Sequence, residues 1–157
     1  DEKFVLSAGH AHVAHAVVME KYGKGKAEDL LVAGIHCDKE NGCDVSTGSL
    51  GQGIAIAVGL ALADRKRDCY CLISDGECAE GILWEALRIA DRQNLDNLKI
   101  YVNANGLGAY GEIDLDLLEA RINLFNPRVI FRRTKIDKEI IDKYPQLIGL
   151  GVHYKTI

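Results

Sequence analysis

No stretch of this sequence stays apolar for the roughly 18–20 residues that a bilayer-spanning helix requires, and none is built like a signal peptide. Excess positive charge is missing too. The formal net charge is −4, which argues against nucleic acid or an anionic membrane as partner. The five cysteines contain no C-x-x-C. An odd number of thiols without that motif fits free cysteines in a reducing compartment, so a cytoplasmic location is expected. There is no internal repeat and no low-complexity segment. What is present is the composition of an ordinary globule, 48% hydrophobic and 27% charged. A chain of 157 residues is expected to form one domain, 1–157, with a substantial core.

The most informative stretch runs from Cys69 to Gly111. A short apolar run, Cys69 to Ile73, breaks at Ser74-Asp75-Gly76, and a helical pattern follows from Glu80 to about Gln93. A second apolar run, Leu98 to Val102, ends at Asn103-Ala104-Asn105-Gly106. Strand, helix and strand at this spacing read as a right-handed βαβ unit of a parallel sheet. Polar ligands sit beyond the carboxyl ends of such strands, and Asp75 and Asn105 leave their strands at that edge. A carboxylate, an amide oxygen and nearby carbonyls are hard ligands that suit Mg²⁺ or Ca²⁺ and leave positions for phosphate oxygens. Gly76 admits backbone N–H groups to an anion, and the following helix adds its positive end. Asp-Gly and Asn-Gly are individually ordinary turn dipeptides; their spacing and the residues between them carry the signal.

The remaining chain supplies further elements. Residues 1–23 read as a short extended segment and then a helix whose apolar stripe is Val13, Ala16, Val17 and Val18. His10, His12 and His15 suggest a metal cluster, but only His12 and His15 share a helix face. No carboxylate or cysteine nearby in sequence completes a site, so both are read as packing or solvated side chains. Cys69 and Cys71 alternate on one strand and are likewise read as packing. His36 stands in a polar linking stretch. Ser46 to Gly53 (STGSLGQG) opens a helix, Ile54 to Ala63, that is apolar nearly all round and is expected to be buried. Leu115 to Phe125 reads as a helix, Val129 to Thr134 as a third core strand, and 138–144 as helical. The fold class expected is α/β: an open, mainly parallel sheet with helices on both faces, possibly abbreviated.

Several of these motifs together resemble transketolases. S-D-G-E-x-x-E-G-x-x-W-E-A, D-N-L and N-x-N-G are similar to that family's thiamine-diphosphate signature, DEKFVLSAGH to its opening segment, and STGSLGQG to its glycine-rich turn. The resemblance implies thiamine diphosphate as cofactor, with Mg²⁺ (or Ca²⁺) held by Asp75, Asn105 and the Leu107 carbonyl. It implies that His10, Gly48, Leu50, Asp75, Gly76, Glu77, Asn105 and His153 surround the cofactor. It further implies that His10 and His36 meet the substrate, and that Glu80 joins a glutamate network coupling two cofactor sites at a subunit interface. The activity implied is transfer of a two-carbon ketol unit between sugar phosphates.

The resemblance also has departures. Ser74 stands where the family has glycine, placing a Cβ where φ > 0 is expected, and Asn103 stands where it has aspartate. No pyrimidine-binding domain is included. The chain therefore resembles the N-terminal subunit, or a piece, of a split transketolase: a homodimer or larger assembly, inactive until a pyrimidine-binding subunit arrives. Two alternatives stay open. One is the equivalent half of another thiamine enzyme, a 2-oxo-acid dehydrogenase α subunit or a deoxyxylulose-phosphate synthase; the other is a non-catalytic module that keeps the fold.

Overall fold

A computed structural model describes residues 2–31, 36–108 and 111–135. Strand β1 (Lys3–Leu6) leads through a 3₁₀ turn (Gly9–Ala11) into α1 (His12–Lys21), α2 (Ala27–Leu30) and α3 (Gln52–Ala63). Then come β2 (Cys69–Ser74), a 3₁₀ turn (Gly76–Ala79), α4 (Gly81–Arg92) and β3 (Leu98–Ala104). A two-residue hairpin, β4 (Leu107–Gly108) and β5 (Gly111–Glu112), precedes α5 (Leu115–Phe125) and β6 (Ile130–Arg133). The sheet is β1-β2-β3-β6, with every pairing parallel. The three strands expected from sequence are therefore β2, β3 and β6, but only β2 and β3 are central: β6 pairs with β3 alone and exposes Arg132 and Arg133. The helical reading of 138–144 lies outside the described residues. Among them, no helix is long and apolar enough to cross a membrane.

The order of the sheet dictates the layers. Each crossover steps in one direction, so right-handed connections place α3, α4 and α5 side by side on one face, where α3 packs on α4 and α4 on α5. Val5, Cys71 and Ile100 stand in register under this layer and are 0–2% exposed. Leu83 and Leu87 of α4 descend onto them, both fully buried, and each contributes on the order of 1.5–3 kcal/mol by leaving water. Side chains alternate along a strand, so Phe4 and its register partner Tyr70 point to the opposite face. There His15 of α1 stacks on Phe4 with ring centroids 5.4 Å apart, which puts a helix on the second face as well.

Two expectations about helix faces change. In α1 the buried residues are His12 and Ala16, whereas Val13, Val17 and Val18 are about half exposed. The polar ring turns inward because partners await it there, as described below. In α3 the inner face (Ile54, Ala57, Val58, Ala61) is buried, but Ile56 and Leu62 remain 37% and 39% exposed. Uniform apolarity identifies a helix without naming the side that finds cover, and among the described residues one side is covered more fully than the other.

The outer edge of β1 is occupied by side chains. Asp44 accepts the Phe4 N–H at 2.8 Å and pairs with Lys3 Nζ at 2.7 Å. Thr47 Oγ1 donates to the Leu6 carbonyl at 2.7 Å. The loop that leads to the glycine-rich turn is thus laid along the strand it must reach.

Candidate functional site

The carboxyl ends of β2 and β3 meet through one side chain. Asp75 is 1% exposed; its Oδ1 accepts the Gly76 N–H at 3.0 Å. Its Oδ2 accepts the N–H groups of Asn105 at 2.8 Å and Gly106 at 2.7 Å. The turn after β3 can present two successive N–H groups because Gly106 takes φ +84°, a conformation open to glycine. Asn105 Oδ1 accepts the Leu107 N–H at 2.8 Å. Asp75, Gly76, Asn105 and Leu107, far apart in sequence, therefore form one cluster at the sheet edge. The Gly76 N–H, expected to face an anion, is turned to Asp75 instead. Asp75 Oδ1 and Asn105 Oδ1 each accept one hydrogen bond and keep a lone pair. A carboxylate oxygen and an amide oxygen are the hard donor type that small divalent cations take. A cavity of 340 Å³ opens beside Asp75 and Gly76, lined also by Trp84, Asp114 and Arg121.

Ser74 does not carry the strain expected of it. It is the last residue of β2, and the one non-glycine residue with positive φ among those described is Asn94. Asn103, its register partner, is held by Thr134 Oγ1, which donates to Oδ1 at 2.9 Å. Glu77 turns inward. It is fully buried, and both carboxylate oxygens are engaged by this chain: Oε1 accepts from Ser7 Oγ and from the Gly51 N–H at 3.0 Å. Oε2 accepts from the Ser74 N–H at 2.8 Å and from Ser74 Oγ at 3.3 Å. Ser7 Oγ in turn accepts the Ile54 N–H at 3.1 Å. Glu77 thus ties the end of β1, the start of α3 and the end of β2 into one knot, with every hydrogen bond resolved at it made within the chain.

A second group gathers around Gly48. A Cβ added to Gly9 would lie 3.0 Å from Gly48 Cα and 3.2 Å from His36 Cδ2. The His36 ring therefore covers the point where the two glycine backbones touch, and His10 follows directly in the 3₁₀ turn. His10, His36 and Gly48 come together, with Leu50 half-buried two residues on. Glu80 sits at the start of α4, beside the Gly51 turn. His153 lies outside the described residues.

One premise changes: Cys37 and Cys43, distant in sequence, bring their sulfurs close to the rings of His12 and His15, so that the ligand atoms of all four lie within 4.8 Å of one another. Ser7, which in sequence reads as a helix-start residue, instead donates its hydroxyl to Glu77.

The sequence matches the family described as transketolase, thiamine diphosphate binding domain, over residues 1–141. It is 33% identical to human transketolase across 99% of this chain and 27% of that protein. It is 40% identical to mouse transketolase-like protein 2 across 74% of this chain and 21% of the relative. The chain thus spans about a fifth to a quarter of the length of the curated relatives it matches. Among solved structures, a Pichia stipitis transketolase superposes with TM-score 0.67 at 28% identity, over 79% of this chain and 22% of that one. A Campylobacter jejuni transketolase shares the fold, with TM-score 0.66 at 22% identity over 85% of this chain and 29% of the other.

Proposed function

On the premise that the chain belongs to the transketolase family through its thiamine-diphosphate-binding domain, we propose that it supplies the metal and diphosphate half of a ketol-transfer site. Asp75 and Asn105, with the Leu107 carbonyl, hold Mg²⁺ (or Ca²⁺), and the metal leaves positions for the cofactor's phosphate oxygens. When bound, thiamine diphosphate supplies the carbanion-stabilising chemistry needed to move a two-carbon unit. The protein's task is placement. Asp75 sets the Asn105–Gly106 turn, Glu77 fixes the glycine-rich turn behind it, and His10 and His36 present ring nitrogens beside Gly48 to the substrate. Related Pichia stipitis transketolase structures are complexes with xylulose-5-phosphate and sedoheptulose-7-phosphate, which supports sugar phosphates as the substrate class. In this reading residues 1–157 act as one domain beside a pyrimidine-binding partner. Glu80 and the uncovered face of α3 meet neighbouring chains in a homodimer or larger assembly.

The observation that carries this reading is the Asp75 carboxylate bridging to Asn105 and Gly106. Calorimetry with thiamine diphosphate and Mg²⁺ tests it. Weak, metal-dependent binding is expected for the chain alone and none for Asp75→Ala. Asn105→Ala, whose side chain is exposed, separates loss of a ligand from loss of the turn. Unchanged binding in both variants would refute the assignment. Adding a pyrimidine-binding subunit should tighten binding and switch on turnover of a ketose phosphate. Turnover by this chain unaided would overturn the split-site reading.

A further inference from the structure

The four-residue cluster between α1 and the loop after His36 has a chemistry that ketol transfer does not use. We propose that His12, His15, Cys37 and Cys43 form a structural zinc site that fastens α1 to the loop following His36. Their ligand atoms all lie within 4.8 Å of one another. His12 Nδ1 is 3.4 Å from Cys37 Sγ and 3.8 Å from Cys43 Sγ. His15 Nδ1 is 3.9 Å from each sulfur. A tetrahedral ion with Zn–N of about 2.0–2.1 Å and Zn–S of about 2.3 Å separates N from S by roughly 3.6 Å, so these distances already bracket the bound geometry. The two sulfurs, 2.7 Å apart, would part by about 1 Å to reach their own tetrahedral separation.

The tautomer is also set. The Leu30 carbonyl can only accept, so His12 Nε2, 2.8 Å away, donates to it and leaves the Nδ1 lone pair facing the thiols. A ligand histidine held through its other nitrogen by a backbone carbonyl is the usual outer support of a zinc site. His12, Cys37 and Cys43 are buried, so the four ligand atoms face one another away from solvent. On binding Zn²⁺ each thiol releases its proton to solvent and two Zn–S and two Zn–N bonds form, so affinity rises with pH. Two histidines on one helix turn and two cysteines on one ordered loop give a closed ligand set with no open position, which marks a structural rather than a catalytic metal. The loop is prepared for this: Asp38 accepts from Asn41 and Ser46, and Gly42 turns the chain at φ +94°. The clamp would join the two segments that carry His10 and His36.

Elemental analysis of the full reduced chain, expressed without added metal, should find one zinc per chain. Replacement by Co²⁺ should give the intense visible bands of a tetrahedral ion and a thiolate charge-transfer band. His15→Ala, at a half-buried position, should weaken zinc by more than the roughly 10–100-fold typical of losing an outer-shell partner. Cys37→Ser should remove the charge-transfer band in part. The cobalt titration of the unaltered chain decides the matter even if a variant fails to fold. Two free thiols with no metal uptake would overturn the proposal, as would a Cys37–Cys43 disulfide found by mass spectrometry in protein prepared without reductant that, once reduced, takes up no metal. Thiamine diphosphate plays no part in any of these readouts, so this test and the test of the proposed function fail independently.

Discussion

Replacing Glu77 by glutamine tests the interior knot with almost no change of shape. One carboxylate oxygen receives the Gly51 N–H and the other the Ser74 N–H, and each also receives a serine hydroxyl. An amide has one oxygen and one NH₂, so whichever way it turns, one backbone N–H faces another donor. The Ser74 oxygen already accepts the Glu77 N–H and the Ser7 oxygen the Ile54 N–H, and a backbone N–H cannot rotate. An orphaned buried donor costs about 1–3 kcal/mol, and losing the charge from the remaining bonds adds about 1 kcal/mol, so the whole is on the order of 2–4 kcal/mol. For a domain of this size that corresponds to a melting point lower by roughly 4–16 °C. Urea unfolding followed by circular dichroism measures it directly. A variant within about 0.5 kcal/mol of the parent, the ordinary range for a surface substitution, would mean that the carboxylate is not the buried acceptor described.

Gly53→Ala should prevent stable folding or destabilise by more than the about 1–3 kcal/mol typical of overpacking, since its Cβ would fall 2.5 Å from Ser7 Cα; soluble expression with an unchanged melting curve would contradict the close approach of α3 to β1. Alkaline stability should also decline. Burial raises Cys69 to about 11 and Cys78 to about 12 from an ordinary 9.0, so the native state keeps protons that the unfolded chain has lost. This contribution is complete below about pH 9 and disappears as pH climbs through about 11 to 12. Urea midpoints measured at about pH 8 and about pH 10.5 should fall in that order, and equal midpoints would count against it.

The βαβ unit was legible in sequence because its signals are local: two apolar runs, a helical stripe between them, and turn residues at both carboxyl ends. Asp75 and Asn105 follow from that topology alone, since strands in one parallel sheet end at one edge. Other features depend on what lies across space. His12 faces inward because the Leu30 carbonyl and two thiols wait there, and neither cysteine stands near it in sequence. Glu77 follows an Asp-Gly turn and reads as part of the loop until Ser7 and Gly51 arrive from elsewhere to receive it. The β4–β5 hairpin is too short to leave a periodic trace. The uniform apolarity of α3 hid its division into a covered and an uncovered face.

The loop laid along β1 has a consequence for the chain during synthesis and storage. A strand at the margin of a sheet offers unpaired N–H and C=O groups to any other extended segment, and this is how edge strands recruit copies of themselves into aggregates. Here the outward N–H of Phe4 is taken by Asp44 and the outward carbonyl of Leu6 by Thr47. Two of the groups that a further strand would use are thereby taken, and a carboxylate stands at one of them. Neutralising Asp44 would reopen the margin, so its substitution by alanine should surface first as turbidity at high concentration, ahead of any change in the fold.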